Sequence, residues 1–380
     1  MTDLAGLAML DTPAALIDRS RMQRNIERMQ QHMNALGVAF RPHVKTSKGL
    51  PVARAQQAAG ARGITVSTLK EAEAFFDDGF TDILYAVGMA AAKLPRALAL
   101  RRRGCGLKIV VDSLAAAQAV AEFGRAQGEA FEVLIEIDTD GHRSGIRCDD
   151  AALLDIGRAL HEGDMALAGV LAHAGASYEL DAPAALAALA EQERARCVAA
   201  AERLRAAGLP CPIVSVGSTP TALSAARLHG VTEVRAGVYV FFDLVMCNVG
   251  ICTADDIALS VLTTVIGHQA EKGLAIVDAG WMAMSRDRGT QAQAHDYGYG
   301  QVCGVNGKPL AGYLLAGANQ EHGMVQRKGA PDTDIAARFP IGMQLRILPN
   351  HACATGAQFP SYQALADDGG ISTWSRLQGW

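Results

Sequence analysis

A lysine that ends a β-strand is a candidate for imine chemistry, and the segment Arg41-Pro42-His43-Val44-Lys45-Thr46 offers one. It follows the apolar run Val38-Ala39-Phe40 and precedes a helical pattern from Leu50, so the spacing predicts that the Lys45 amine opens onto a turn. There it forms a Schiff base with a carbonyl if burial lowers its pKa. A solvated surface lysine fits the same letters. Arg143 lies between two glycines in Gly141-His142-Arg143-Ser144-Gly145, where the backbone bends easily and turns a permanent cation toward a phenolate or carboxylate oxygen. An exposed turn explains that segment equally well. His173 closes another apolar run and is followed by Ala174-Gly175-Ala176-Ser177-Tyr178; a lone histidine at a strand end is more often structural than catalytic. Ile213 to Val216 runs into Gly217-Ser218-Thr219-Pro220-Thr221, whose N–H groups, hydroxyls and following helix start suit a phosphate, with Gly237 from the next unit beside it. The same turn reads as a helix N-cap. Finally, His351-Ala352-Cys353 follows the strand pattern Gln344 to Leu348, and residues two apart on an extended chain point to one side. Imidazole and thiolate side by side suit a borderline-soft cation such as zinc. A buried cysteine beside a structural histidine has the same spacing.

The elements that carry these groups keep one rhythm. Short, often β-branched runs at 38–45, 63–68, 82–87, 107–112, 131–138, 167–173, 213–217 and 234–241 alternate with alanine-rich helical patterns at 69–75, 113–126, 181–207 and 222–228. Eight such units predict a (β/α)8 TIM-like barrel, with its active site at the carboxyl ends of the strands. A doubly wound open sheet is the alternative, but no GxGxxG follows the first strand. Phosphate sites in barrels commonly use the loops after strands seven and eight, where Gly217 and Gly237 fall. Ser67 and Thr68, after the second strand, read as an N-cap. From about Ile251 the pattern turns to Thr- and Val-rich strands with glycine turns. The expected division is a barrel over 15–250 and a mainly β domain over 251–380, with residues 1–14 packed on the latter.

Composition narrows the function. The 380 residues are half hydrophobic with a net charge of −4, and the basic cluster Arg101-Arg102-Arg103 ends a helix pattern, so no nucleic-acid footprint is expected. No apolar run reaches the length of a membrane span, and Met1-Thr2-Asp3-Leu4 lacks the basic region of a signal peptide. A soluble, cytoplasmic protein is expected, without membrane partners. Its eight scattered cysteines, with no CxxC, are read as reduced thiols.

A phosphate cradle opposite a strand-end lysine implies a phosphorylated cofactor held by an imine, pyridoxal 5′-phosphate. The spacing of Lys45, Arg143, Ser215 to Thr219 and Gly237/Tyr239 resembles the fold-type III, or alanine-racemase-like, pyridoxal-phosphate enzymes, which pair a barrel with a carboxyl-terminal β domain. His43-Val44-Lys45-Thr46, Asp278-Ala279-Gly280, Asn319-Gln320-Glu321-His322-Gly323 and Pro349-Asn350-His351-Ala352-Cys353 look like the branch of D-threonine aldolase and D-serine dehydratase. The resemblance covers nearly the whole chain. It implies that Lys45 carries the cofactor, that Arg143 contacts its phenolic oxygen, that His173 and Tyr178 lie near its ring, and that Gly217, Ser218, Thr219, Gly237 and Tyr239 belong to its site. It also implies a homodimer.

The same resemblance places a divalent metal at His351 and Cys353: zinc, or manganese, cobalt or magnesium. Dehydratases of the branch carry Cys at the second position and aldolases Asp, so Cys353 implies a dehydratase (an ammonia-lyase) acting on a D-3-hydroxy amino acid. With 3-hydroxyaspartate the products are oxaloacetate and ammonia. D-Serine dehydration and aldol cleavage of D-threonine or 3-hydroxyaspartate are the alternatives; a barrel-only pyridoxal-phosphate carrier would lack the domain after 251. Arg286, Arg288, Asn319, Gln320 and His322 are candidates for a second substrate carboxylate by polarity alone, and Asp287 and Glu321 are either metal-site partners or surface charges.

Overall fold

The structure is a computed structural model and describes residues 5–380. Contacts divide the chain into two units: residues 28–237 with 379–380, and residues up to 27 with 238–378.

The first unit is built on eight parallel strands: Ala39–Phe40, Ile64–Val66, Asp82–Gly88, Gly106–Val111, Glu132–Asp138, Ala166–Ala172, Ile213–Val216 and Glu233–Val234. From the second strand on, each pairs with the next in the chain, and the eighth pairs back on the first. A single parallel bridge between His43 and Thr65 closes the ring, through Val44 N–H to Thr65 O at 2.9 Å and Thr65 N–H to Pro42 O at 2.8 Å. The eight strands of the expected barrel are therefore all present. Strands buried on both faces read as continuous apolar runs; Leu84, Val110, Leu134, Ala168 and Leu171 form one such core cluster. Helix starts are marked by side chains that satisfy otherwise unpaired N–H groups. Thr68 accepts from Glu71 N–H at 3.0 Å to begin helix Leu69–Asp77, and Ser113 accepts from Ala116 N–H at 3.4 Å to begin Leu114–Gln127.

Three expected elements shift. The first strand is Ala39–Phe40 rather than 38–45, and Lys45 lies in the turn beyond it, after the bridge at His43. The eighth strand ends at Val234 rather than 241, and Val238–Val240 is a short 3-10 helix. Gly217, at φ +131°, lies so close to the next strand that a Cβ would sit 2.2 Å from Arg235 O, and backbone bonds run on only through Arg235 N–H to Val216 O and His43 N–H to Ala236 O, both at 2.8 Å. Residues 238–242 are apolar because they are buried, not because they extend a ladder. The helix expected at 222–228 is instead Thr219–Ser224, because Ser218 and Thr221 form a capping box that starts it earlier.

The second unit is an antiparallel sheet closed on itself. Leu259–Gln269 pairs with Gln344–Pro349, and the ring continues through Gly300–Cys303, Pro309–Ala318, Gly323–Arg327 and Leu274–Val277 back to Leu259–Gln269. Leu259–Gln269 also pairs near its start with Ala14–Asp18, which in turn pairs in parallel with Ser361–Leu365. Leu7, Leu16, Leu262 and Leu365 pack together there. The expectation for residues 1–4 lies outside the described residues. All eight cysteines are free thiols, with the Cys247 and Cys252 sulfurs 3.5 Å apart. Among the described residues no helix is long and apolar enough to cross a membrane.

Candidate active site

At the carboxyl end of the first barrel strand, the exposed Lys45 stands between the buried Val44 and Thr46. Its N–H donates to His43 Nδ1 at 3.4 Å. Burial, then the positive charges of Lys45 and Arg235, hold the His43 imidazole well below its usual pKa. His173 is treated the same way by burial and by Lys45, which push it down to about 3. Its Nδ1 lies 3.0 Å from Gly217 O, an acceptor, so Nδ1 carries the proton and Nε2 does not. Tyr178 stands beside it, ring centroids 6.3 Å apart. The structure thus gathers Lys45, His43, His173 and Tyr178 around one barrel end. Arg143 acts on His173 through its charge; its guanidinium is half-exposed and meets Glu136 Oε1 at 3.3 Å. Ser144 Oγ donates to the same oxygen at 3.1 Å.

The turn read as a phosphate cradle is already heavily engaged. Buried Glu193 accepts from Gly217 N–H at 2.9 Å and Ala174 N–H at 3.0 Å through one oxygen, and from Thr221 Oγ1 at 2.7 Å through the other. Ser218 N–H donates to Thr221 Oγ1 at 3.0 Å, and Ser218 Oγ meets Ser177 Oγ at 2.8 Å. Ser218 and Thr219 are buried. A Cβ at Gly237 would stand 3.1 Å from His43 O and 3.2 Å from Thr46 Oγ1, so glycine lets the two segments pack closely here. Tyr239 is fully buried.

Sequence reasoning passed over the charges beneath this end. Arg235 Nε donates to Ser215 Oγ at 2.8 Å, Ser215 Oγ to Glu233 Oε1 at 2.8 Å, and Arg41 Nε to Glu233 Oε2 at 2.9 Å. Arg41 also pairs with Asp82 at 2.9 Å. Removing one member of such a buried set strands another. The available signal was the presence of Arg41, Glu233 and Arg235 inside apolar runs, where charges persist only when paired.

In the second unit, strand Gln344–Pro349 ends before His351, which is the N-cap of helix Ala352–Gly356. His351 and Cys353 are therefore joined across a helix start, not along an extended strand as their spacing suggested, and their side chains are hydrogen-bonded. Asp287 Oδ2 lies 2.6 Å from His351 Nδ1. A carboxylate only accepts, so Nδ1–H donates and Nε2 is left as the donor atom toward a metal. Burial works against protonation of this imidazole, but Cys353 and Asp287 outweigh it and raise the pKa to about 11. Ser285, at φ +70°, turns the preceding loop and accepts Asp287 N–H at 3.1 Å. Asn350 ties the loop down through Gly298 O at 2.7 Å. Among the described residues no group of three or more His, Cys, Asp or Glu is arranged around a metal position. The donor set is then one imidazole and one thiolate, which fits a borderline-soft cation completed by water or substrate oxygens. Of the other candidates, Arg286 stacks 4.9 Å over Trp281, Arg288 pairs with Asp296 at 3.0 Å, and Gln320 and Glu321 are exposed.

The depressed pKa of His173 has a measurable consequence in the cofactor-free protein. The unfolded state, with an ordinary value near 6.5, takes up a proton that the folded state refuses down to about 3. Stability is therefore full above about pH 6.5 and falls as the pH drops through that window. At pH 5.5 His173 alone accounts for about 1.4 kcal/mol. Urea unfolding at pH 7.5 and 5.5 reads this loss, and His173→Gln should flatten it; an equally steep profile in the variant would remove His173 as its source.

Residues 17–245 match the alanine racemase N-terminal domain family, and residues 258–365 match a serine dehydratase domain family. The chain is 73% identical to D-threo-3-hydroxyaspartate dehydratase of Delftia sp. (strain HT23), across 98% of this chain and 99% of that one. The solved structure of that dehydratase superposes with a TM-score of 0.98, covering 98% of this chain and 99% of the other. A cysteine-to-alanine variant of the same enzyme, solved in the metal-free form, gives the same TM-score of 0.98 at 73% identity, covering 98% of this chain and 99% of that one. A D-threonine aldolase from Filomicrobium marinum has 25% identity and a TM-score of 0.82, over 97% of this chain and 96% of that one. With a matching domain over each part of the chain and relatives that align along nearly all of it, this protein belongs to the alanine-racemase-like, fold-type III family of pyridoxal-phosphate enzymes.

Proposed function

We propose that this chain is a pyridoxal-phosphate- and divalent-metal-dependent dehydratase that converts D-threo-3-hydroxyaspartate to oxaloacetate and ammonia. The observation that carries the reading is the 73% identity to a dehydratase of that substrate over 98% of the chain. The barrel unit binds the cofactor and the β unit holds the metal.

The cofactor fits the barrel end by chemistry: an exposed amine in the turn after the first strand, beside two imidazoles held neutral by burial. Bound there, pyridoxal phosphate supplies an electron sink for charge at Cα, and a divalent cation supplies a Lewis acid for the departing hydroxyl. Lys45 Nζ would hold the cofactor through its carbonyl carbon and would serve as the base for the Cα proton. His43 and His173 remain neutral at working pH and add no charge beside that amine. Arg143, steadied by Glu136, holds the phenolic oxygen, and Tyr178 and His173 flank the ring. Gly217 and Ser218 shape the turn, with their own N–H groups engaged, so that Thr219 at the helix start, Gly237 and Tyr239 complete the phosphate site. His351 Nε2 and Cys353 Sγ hold the cation, and Asp287 fixes the His351 ring. Overall, one water would leave the substrate, its nitrogen would be released as Lys45 retakes the cofactor, and uptake of a second water would give oxaloacetate and ammonia. The protein works as a cytoplasmic homodimer.

Product analysis tests the reading. With D-threo-3-hydroxyaspartate, pyridoxal phosphate and a divalent metal, oxaloacetate and ammonia should form. Glyoxylate and glycine would instead mean cleavage of Cα–Cβ, an aldolase using the same groups. Parallel rates with D-serine rank the two dehydratase substrates.

A further inference from the structure

We infer that Asp243 is a positioning residue for the metal pair, fixing the peptide that joins His351 to Cys353. The inference rests on the reading that these two residues hold the metal. Asp243 is 1% exposed, and both of its oxygens are committed to backbone N–H groups. Oδ1 accepts from Met246 at 3.0 Å and so caps helix Leu244–Val249. Oδ2 accepts from Ala352 at 2.9 Å, a residue 109 positions away in the chain and the one that stands between imidazole and thiol. A second tie runs beside it, from Val245 N–H to Asn350 O at 3.2 Å. The start of one helix thereby grips the start of the other on both sides of His351.

A helix cap needs only one oxygen. The second oxygen of Asp243 serves the residue between the two donors, where a small shift would change the separation of both. The charge has a use as well. A divalent cation held by one thiolate and one neutral imidazole keeps an excess positive charge, which a buried carboxylate nearby offsets. The groups around Asp243 oppose one another: burial, the largest effect, and the like charge of Asp287 raise its pKa, against His351 and the N–H groups of Ala352 and Met246, so the positioning role stands on the two hydrogen bonds. A carboxamide cannot replace it. Asparagine offers one acceptor oxygen for two donors and turns an NH₂ group against the other N–H.

The test uses the cofactor-loaded full chain, stripped of metal and titrated with zinc alone, then with cobalt to read the thiolate-to-metal charge-transfer band. Asp243→Asn should raise the zinc dissociation constant by about 10- to 100-fold and shift the cobalt band, with the imine absorbance at Lys45 unchanged. Zinc affinity within about twofold of the parent and an unaltered cobalt band in a folded Asp243→Asn protein would overturn the inference. Cys353→Ala, measured in parallel, separates the two ways of failing. If it binds zinc like the parent, the metal reading falls and this inference with it; if it loses zinc while Asp243→Asn does not, only Asp243 is wrongly placed. Should Asp243→Asn not fold, Ala352→Pro removes the donor instead of the acceptor. Proline is accepted at the first position of a helix and after an extended residue, and His351 has φ −134° and ψ 107°. The same loss of zinc affinity is expected, and an unchanged affinity counts against Asp243 in the same way.

Discussion

Lys45→Ala should abolish conversion of D-threo-3-hydroxyaspartate, lowering kcat by at least about 10⁴-fold, and remove the imine absorbance of the bound cofactor. Two losses combine: the covalent attachment that places the cofactor, and the base that receives the Cα proton. Neither neighbour is a strong enough base to take over, since burial holds both imidazoles below their usual pKa, His173 down to about 3. Lys45→Arg gives the control for charge, since a guanidinium keeps the cation but forms no imine. Both variants should be equally inactive. Measurable steady-state turnover in either, with the parent's products, would remove Lys45 from the reaction.

The second large effect is at the thiolate. Cys353→Ala should leave the protein folded with its imine absorbance intact, yet reduce bound metal to background and lower elimination by about 10²- to 10⁴-fold. Only two protein donors are proposed for the cation, so losing one leaves a single imidazole, too weak a site to retain a dication during dialysis. Metal analysis after dialysis and product formation with excess metal read the two consequences separately. Metal content equal to the parent's would place the cation elsewhere.

The barrel was legible because buried parallel strands leave a strong local signature. Ile83, Ile109 and Val133 lie in runs whose apolar character needs no knowledge of their neighbours. The overlong eighth strand shows where that signature fails: residues 238–242 carry the letters of a strand, but the letters report burial, and the chain there turns through a short 3-10 helix. In the site, Lys45 could be found from its position after a strand. The partners that orient the other groups could not. Glu193 reaches Gly217, Asp287 reaches His351 and Asp243 reaches Ala352 across separations of 24, 64 and 109 residues, and no local pattern encodes such pairs. The spacing of His351 and Cys353 suggests an extended strand, but a helix start brings them together, and only the family resemblance singled the pair out.

Ala14–Asp18 sits within the second sheet, flanked by Leu259–Gln269 and Ser361–Leu365. In chain order this segment precedes all eight barrel strands, and the strands on both sides of it follow them. The eight barrel strands are all made by residue 234, long before the second sheet can be completed. The nascent chain must therefore keep an apolar strand waiting until the barrel strands are made. A fragment begun at residue 28 would retain every barrel strand but leave the other sheet split at its middle, and a fragment of 238–378 alone would need that strand supplied as a separate peptide.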